Sequence, residues 1–328
     1  MDVVFFGSGE FGLPTLEALA KQHRLAGIVS QPDRPAGRGG KLTPTPVSAW
    51  AIEHAPSVPL IRPEDVNEPG VRERVRALAD PKAPWVVIAF GQKLSPELLA
   101  DRFAINLHGS LLPRWRGAGP IQAAMLAGDS HTGNSVITLA QRMDAGLVLG
   151  TTTLEIAPTA TSVELHDALA AQGPGVVLSV LAGHEQSALR PLAQDESLVT
   201  KARKLRKEDR ALDWGLKAEE IRRRINALSP WPGVTVTFRG QPLKLLRANT
   251  DEGSSEQRGK APGTIVDAAG LVATGGGLVR LLDVQPAGKR AMAWDEFARG
   301  ARVTAGEVLV GGAAGAGLAD SQAGEKQA

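Results

Sequence analysis

The sequence predicts an α/β protein, with a doubly wound, mostly parallel sheet in its N-terminal part and a small β-barrel in its C-terminal part. Three observations lead there. Apolar strand-like runs alternate with helical stretches through residue 110, as a sheet with crossover helices requires. The run Trp85–Phe90 (WVVIAF) is apolar throughout, as expected of a strand covered on both faces. From Val234 to Val284 the pattern changes to short β-rich runs (VTVTF, LKLLRA, GTIVDA, LVATG, LVRLLDV) spaced by Gly, Pro and polar turns, the signature of a small antiparallel barrel or sandwich.

Taken in order, Val3–Phe6 is a strand, Gly7–Gly12 a tight turn and Pro14–Lys21 a helix. The turn spells G-x-G-x-x-G, but the next strand, Arg24–Ser30, ends in Ser30-Gln31 rather than in the acid that a nicotinamide ribose requires. Gln31–Pro46 (QPDRPAGRGGKLTPTP) is too rich in Pro and Gly for a helix or a central strand, and reads as a mobile basic loop. Val47–His54 is a helix, Pro59–Arg62 a short strand and Val66–Ala79 a charged surface helix. A short helix opens at Ser95-Pro96-Glu97, with a capping serine and proline in its first turn. Ala104–Leu107 is the next strand and Pro120–Leu126 a helix. Asn134–Ala140 and Leu147–Ile156 form a hairpin with Asp144 at its tip, and Thr161–Leu181 is a helix interrupted at Gly173-Pro174. Leu189–Lys207 reads as a basic connector, and Lys217–Ala227 as a helix carrying Arg222, Arg223 and Arg224. Thr250–Ala261 is a flexible loop. The expected domains are 1–189, a linker 190–208, a barrel 209–310 and a low-complexity, disordered tail 311–328.

Composition narrows the chemistry. The absence of cysteine excludes disulfides, thiolate metal sites and thiol nucleophiles. The His residues outside the central motif lack H-x-x-x-H spacing, so no metal is expected. The first strand is no signal peptide and no apolar run reaches the roughly 18 residues of a membrane span, so a cytoplasmic monomer off the membrane is expected. Net charge is −3 over residues 1–189 and +5 over 190–328, which places a polyanion contact in the second half.

The chemistry concentrates at the end of the Ala104–Leu107 strand. Asn106 and His108 are two residues apart, so their side chains share one face where strand becomes loop. Ligands of such sheets bind beyond the carboxyl ends of strands. An amide can donate to a developing oxyanion, an imidazole can move a proton, and Asp144 could fold over the same edge to support it. No G-x-S-x-G elbow surrounds Ser110, which disfavours a Ser–His–Asp hydrolase.

INLHGSLLPRWRGAGPIQAAMLAGD followed by MDAG resembles the 10-formyltetrahydrofolate-dependent formyltransferases. That resemblance implies a Rossmann-like catalytic domain with Asn106, His108 and Asp144 as catalytic residues. It also implies that Ser110, Leu111, Leu112 and Pro113 lie against the folate, and that 10-formyltetrahydrofolate is the co-substrate, without metal or NAD. QPDRPAGRGGKLTPTPV, LRKEDRALDW, INALSPWPG and QPAGKRAM are similar to the tRNA-directed branch of the family. They imply an OB-like barrel, an aminoacylated initiator tRNA as partner and a methionine α-amine as acceptor. Phosphate contacts would then come from Arg38, Lys41, Lys204, Lys207 and Arg223. The chain departs from the family at Lys201-Ala202, where an aromatic is common, and in its Ala/Gly-rich tail. Relatives that formylate glycinamide ribonucleotide or amino sugars, a formyl-folate hydrolase and a non-catalytic tRNA-binding protein are the alternatives. Each leaves either the basic second half or the Asn106–His108–Asp144 set unexplained.

Overall fold

A computed structural model describes residues 1–36, 40–253 and 259–312. The chain packs as two compact units. The first comprises Met1–Arg116, Gly133–Leu154 and His166–Val199; the second comprises Gly117–Thr132, Glu155–Leu165 and everything from Thr200. The second unit therefore takes back helix Pro120–Ala127, which packs on helix Ala218–Ala227 and does not belong with the parallel sheet.

The first unit is built on β1 (Asp2–Gly7), β2 (Arg24–Val29), β3 (Leu60–Ile61), β4 (Trp85–Ile88), β5 (Ala104–His108), β6 (His131–Thr138) and β7 (Val148–Glu155). They form one seven-stranded sheet in the order β7-β6-β5-β4-β1-β2-β3. Pairing is parallel from β5 across to β3 and antiparallel between β5 and β6. The continuous apolar runs are buried on both faces: all of Trp85–Ile88 is buried, as are Val3–Phe6. The G-x-G-x-x-G glycines answer to packing. A Cβ on Gly7 would lie 2.9 Å from the Ile88 carbonyl, and one on Gly12 would lie 3.1 Å from the Phe5 ring.

Two sequence expectations change. The Gln31–Pro46 stretch contains a small antiparallel ribbon, Arg34–Ala36 with Lys41–Thr43, because Pro35 is tolerated in a two-stranded ribbon separate from the main sheet. The helix expected to break at Gly173-Pro174 runs unbroken as Ser162–Glu185. Proline inside a helix costs about 3 kcal/mol. Burying Leu169, Val177, Val180 and Leu181 returns about 1.5–3 kcal/mol each, so the helix persists. Gly173 is required for its close approach to the sheet, since a Cβ there would meet Leu107 Cδ2 and Thr15 Oγ1 at 2.8 Å. By length and composition this helix could cross a membrane, which amends the expectation of no such segment, although its buried apolar face is that of a core helix.

The second unit carries β8 (Val234–Phe238), β9 (Gln241–Asp251), β10 (Leu271–Ala273), β11 (Leu278–Pro286), β12 (Met292–Ala293) and β13 (Leu309–Val310). The antiparallel sheet runs β10-β11-β9-β8-β13, with β12 on β11. Gly263–Val266 closes it: Ala273 N donates to Thr264 O at 2.9 Å on one side, and Ile265 N donates to Glu307 O at 2.7 Å on the other. The result is the small barrel expected, around Val236, Leu245, Val279, Leu281 and Trp294. The connector is more ordered than its run of charges suggests. Asp209 takes a bidentate pair from Arg203 at 2.9 and 2.5 Å, Arg206 N donates to it at 2.7 Å, and Leu205 is buried in the barrel core.

Candidate active site

β5 positions the central residues by its register. Val87 of β4 pairs with Asn106, while His108 lies past the last β4 pair and faces Ser135 of β6. Asn106 is therefore half-buried inside the sheet edge, and His108, 6% exposed, sits at the carboxyl end. The loop joining β6 to β7 returns Asp144 to this edge, and His108 Nδ1 lies 3.7 Å from Asp144 Oδ2 with both side chains largely buried. The structure thus brings together the histidine and aspartate that the sequence singled out.

The imidazole is held by a group that the side-chain pattern does not reveal. His108 Nε2 lies 3.0 Å from the Trp115 carbonyl oxygen. A carbonyl only accepts, so Nε2 carries the proton and Nδ1 faces the carboxylate. At 3.7 Å the His108–Asp144 contact is too long for a direct hydrogen bond, and the carboxylate is placed to stabilise the ring once Nδ1 has taken up a proton. The Trp115 carbonyl fixes one ring nitrogen, and Asp144 faces the other. Both Trp115 (φ +63°) and Asp144 (φ +55°) are left-handed. Such backbone costs of order 1–3 kcal/mol per residue and persists only where the surroundings enforce it. Trp115 is buried, with the Arg114 guanidinium 5.0 Å from its ring centroid.

The Asp144 loop is fastened at several points. Leu147 N donates to Thr138 Oγ1 at 2.9 Å, and Gly146 lies so close to the Thr138 carbonyl that no side chain fits. Gln194 Nε2 donates to the carbonyls of Asp144 and Gly146, and Gln194 Oε1 accepts from Arg116 Nε. Arg116 also pairs with Glu196, and its guanidinium, then that of Arg142, holds the Glu196 carboxyl below the usual range. Gln194 went unnoticed in the sequence because it lies in the connector, fifty residues from Asp144.

The loop after β5 divides its residues. Ser110 is fully buried and its hydroxyl donates to the Arg114 carbonyl at 2.7 Å, so it shapes the loop. The Ser110 carbonyl accepts from Ser135 Oγ at 2.7 Å, and Leu112 N donates to the same hydroxyl at 3.0 Å. Leu111, Leu112 and Pro113 remain half-exposed and can form an apolar wall. Among the basic residues, Lys41 is exposed on the ribbon, and Lys204 and Lys207 are exposed in the second unit without an ion pair among the described residues. Arg223 differs from expectation: its Nε binds Glu219 at 2.8 Å and its Nη1 donates to the Ala127 carbonyl, so its fork is committed within its own unit. Arg38 lies outside the described residues, as do residues 313–328 of the tail and 254–258 of the Thr250–Ala261 loop.

The chain's similarities agree with this geometry. Residues 1–181 match the formyl transferase family, and residues 204–302 match the formyl transferase C-terminal domain. The methionyl-tRNA formyltransferase of Methylococcus capsulatus is 42% identical over 302 residues, covering 90% of this chain and 96% of that protein. That of Hydrogenovibrio crunogenus is 36% identical over 310 residues, covering 92% and 96%. Among solved structures, an N-formyltransferase from Helicobacter canadensis, in complex with folinic acid and dTDP-3-aminofucose, shares the fold with a TM-score of 0.64. It is 11% identical and covers 87% of this chain and 98% of that one. Matched over residues 1–181 and 204–302, the chain belongs to the formyl transferase family.

Proposed function

We infer that this protein transfers the formyl group of 10-formyltetrahydrofolate to the α-amine of methionine carried by initiator tRNA. The observation that carries the reading is the buried His108–Asp144 pair at the carboxyl end of β5, with Asn106 two residues earlier on the same face. The acceptor follows from what the similar proteins are named for, and from a barrel unit that a small-amine formyltransferase does not need.

10-Formyltetrahydrofolate supplies the formyl carbon, and attack by the amine places negative charge on the formyl oxygen. The Asn106 amide, which has no side-chain hydrogen bond among the described residues, donates to that oxygen. Preorganised donors of this kind are each worth about 10²–10³ in rate. His108 Nδ1 takes the proton that the amine must lose, because Nε2 is committed to the Trp115 carbonyl. Asp144 stabilises the imidazolium that results. The intermediate then collapses, the bond from the formyl carbon to N10 breaks, and His108 returns the proton to N10 as tetrahydrofolate leaves. Leu111, Leu112 and Pro113 form the folate-facing wall, with Ser110 holding their loop. Lys41, Lys204 and Lys207, with Arg38, supply phosphate contacts, which set affinity and salt dependence without reading sequence.

The test is a formyl-transfer assay with one donor and a panel of acceptors: charged initiator tRNA, a nucleotide-linked amino sugar and free methionine. Transfer to the charged tRNA far exceeding transfer to the other two is expected. Preference for the amino sugar would overturn the acceptor while leaving the donor standing.

A further inference from the structure

The Asp144 loop is clamped by one side chain from far along the chain. The Gln194 amide makes a complete set of bonds: Oε1 accepts from Arg116 Nε at 2.9 Å, and Nε2 donates to the Asp144 and Gly146 carbonyls, each at 2.8 Å. A guanidinium only donates and a carbonyl only accepts, so this amide has one workable orientation and no spare donor. One of the bonds falls on the peptide of Asp144, whose left-handed backbone must be maintained for the carboxylate to face His108. The other arm reaches Arg116, the residue after Trp115, whose carbonyl orients the imidazole. Arg116 is itself buried and its charge is met by Glu196 at 2.9 Å. The Gln194 segment is anchored in turn, since Leu192 and Val148 exchange backbone hydrogen bonds of 2.8 and 2.9 Å.

We propose that Gln194 is a positioning residue for formyl transfer: it ties the backbone of the Asp144 loop to Arg116 and so fixes the carboxylate relative to His108. This rests on the reading that the His108–Asp144 pair handles the proton of the attacking amine. Gln194 touches neither substrate nor the reacting atoms. Its loss therefore lowers turnover while leaving both substrates bound.

The experiment uses the full chain carrying Gln194→Ala, Gln194→Glu, Asp144→Asn and the Gln194→Ala/Asp144→Asn pair. Displacement of a reacting group by about 1 Å costs about 10²-fold, so kcat should fall by about 10–100-fold in Gln194→Ala with KM for folate and tRNA unchanged. Gln194→Glu keeps the Arg116 contact but turns carboxylate oxygens on two carbonyls, so it should lose at least as much. Adding Gln194→Ala to Asp144→Asn should cost nothing further, because the group being positioned is already disabled. Wild-type kcat in either Gln194 single variant overturns the proposal, as do losses that multiply in the double variant. A rise in KM at constant kcat also counts against it. If Gln194→Ala does not fold, Gln194→Met, of similar length without the amide, takes its place. Hydrogen exchange over residues 139–147 separates this proposal from the function it rests on. Faster exchange in the Gln194 variants is expected even if the wild-type protein transfers no formyl group to tRNA, and unchanged exchange refutes the clamp.

Discussion

Replacing Asp144 by Asn removes one negative charge and changes little else. The carboxylate lies 3.7 Å from His108 Nδ1, and the two side chains are 14% and 7% exposed. At that separation and an effective dielectric constant of 20, the attraction to an imidazolium is about 4.5 kcal/mol, which is the ceiling on what this contact can lose. The residual exposure of Asp144 reduces it. The expected loss in kcat is therefore about 10²–10³-fold, equivalent to about 2.7–4 kcal/mol of barrier. The Gln194 bonds go to backbone carbonyls and are unaffected, so the loop and the folate wall should stay in place. The assay is single-turnover transfer of labelled formyl to charged initiator tRNA, with folate binding measured separately by calorimetry. Loss of transfer with folate affinity retained is the expected result; His108→Ala should behave alike. A variant with near-wild-type turnover would refute the role given to the pair. Equal losses in turnover and folate binding would show that the carboxylate supports the pocket instead.

Further expectations follow from the same geometry. Asn106→Ala should lower kcat by about 10²–10³-fold without weakening substrate binding, read by separating kcat from KM. Lys41→Ala with Lys204→Ala should raise KM for tRNA, leave folate binding unchanged and flatten the salt dependence of tRNA binding by about one unit of slope per residue removed. The barrel unit should be acid-sensitive. The Arg247 guanidinium holds Glu164 at about 2, and that of Arg239 holds Glu307 at about 2, against an ordinary 4.5. Folded values below the unfolded ones mean that this stabilisation is whole above about pH 4.5 and is lost as pH falls toward 2. Arg247→Leu should therefore flatten the pH dependence of urea unfolding in that window and leave the rest of the profile in place.

The parts of this molecule legible in the sequence are those written in side-chain pattern. WVVIAF, the alternation through residue 110 and the β-rich runs after Val234 gave the two architectures, because burial on one or both faces dictates residue type directly. Asn106 and His108 were legible because strand periodicity fixes their common face. What the pattern hid is carried by backbone or by distant partners. The Trp115 carbonyl orients His108 through a left-handed backbone that no residue type announces. Gln194 reaches Asp144 across fifty residues of chain. Pro174 and Pro35 misled for a related reason: proline's local penalty is real, but core burial outweighs it in one case and an isolated ribbon tolerates it in the other. Charge counting could not show that the Arg223 guanidinium is matched by Glu219, whereas Lys204 and Lys207 stay exposed.

Formyl transfer to the methionine amine is read by following the label. Wild-type protein is given formyl-labelled 10-formyltetrahydrofolate and methionyl initiator tRNA, the aminoacyl ester is hydrolysed, and the released amino acid is identified by mass. Labelled N-formylmethionine is expected, formed by the wild type and suppressed in His108→Ala. Label released as free formate, or formylmethionine formed equally by the His108 variant, would contradict it.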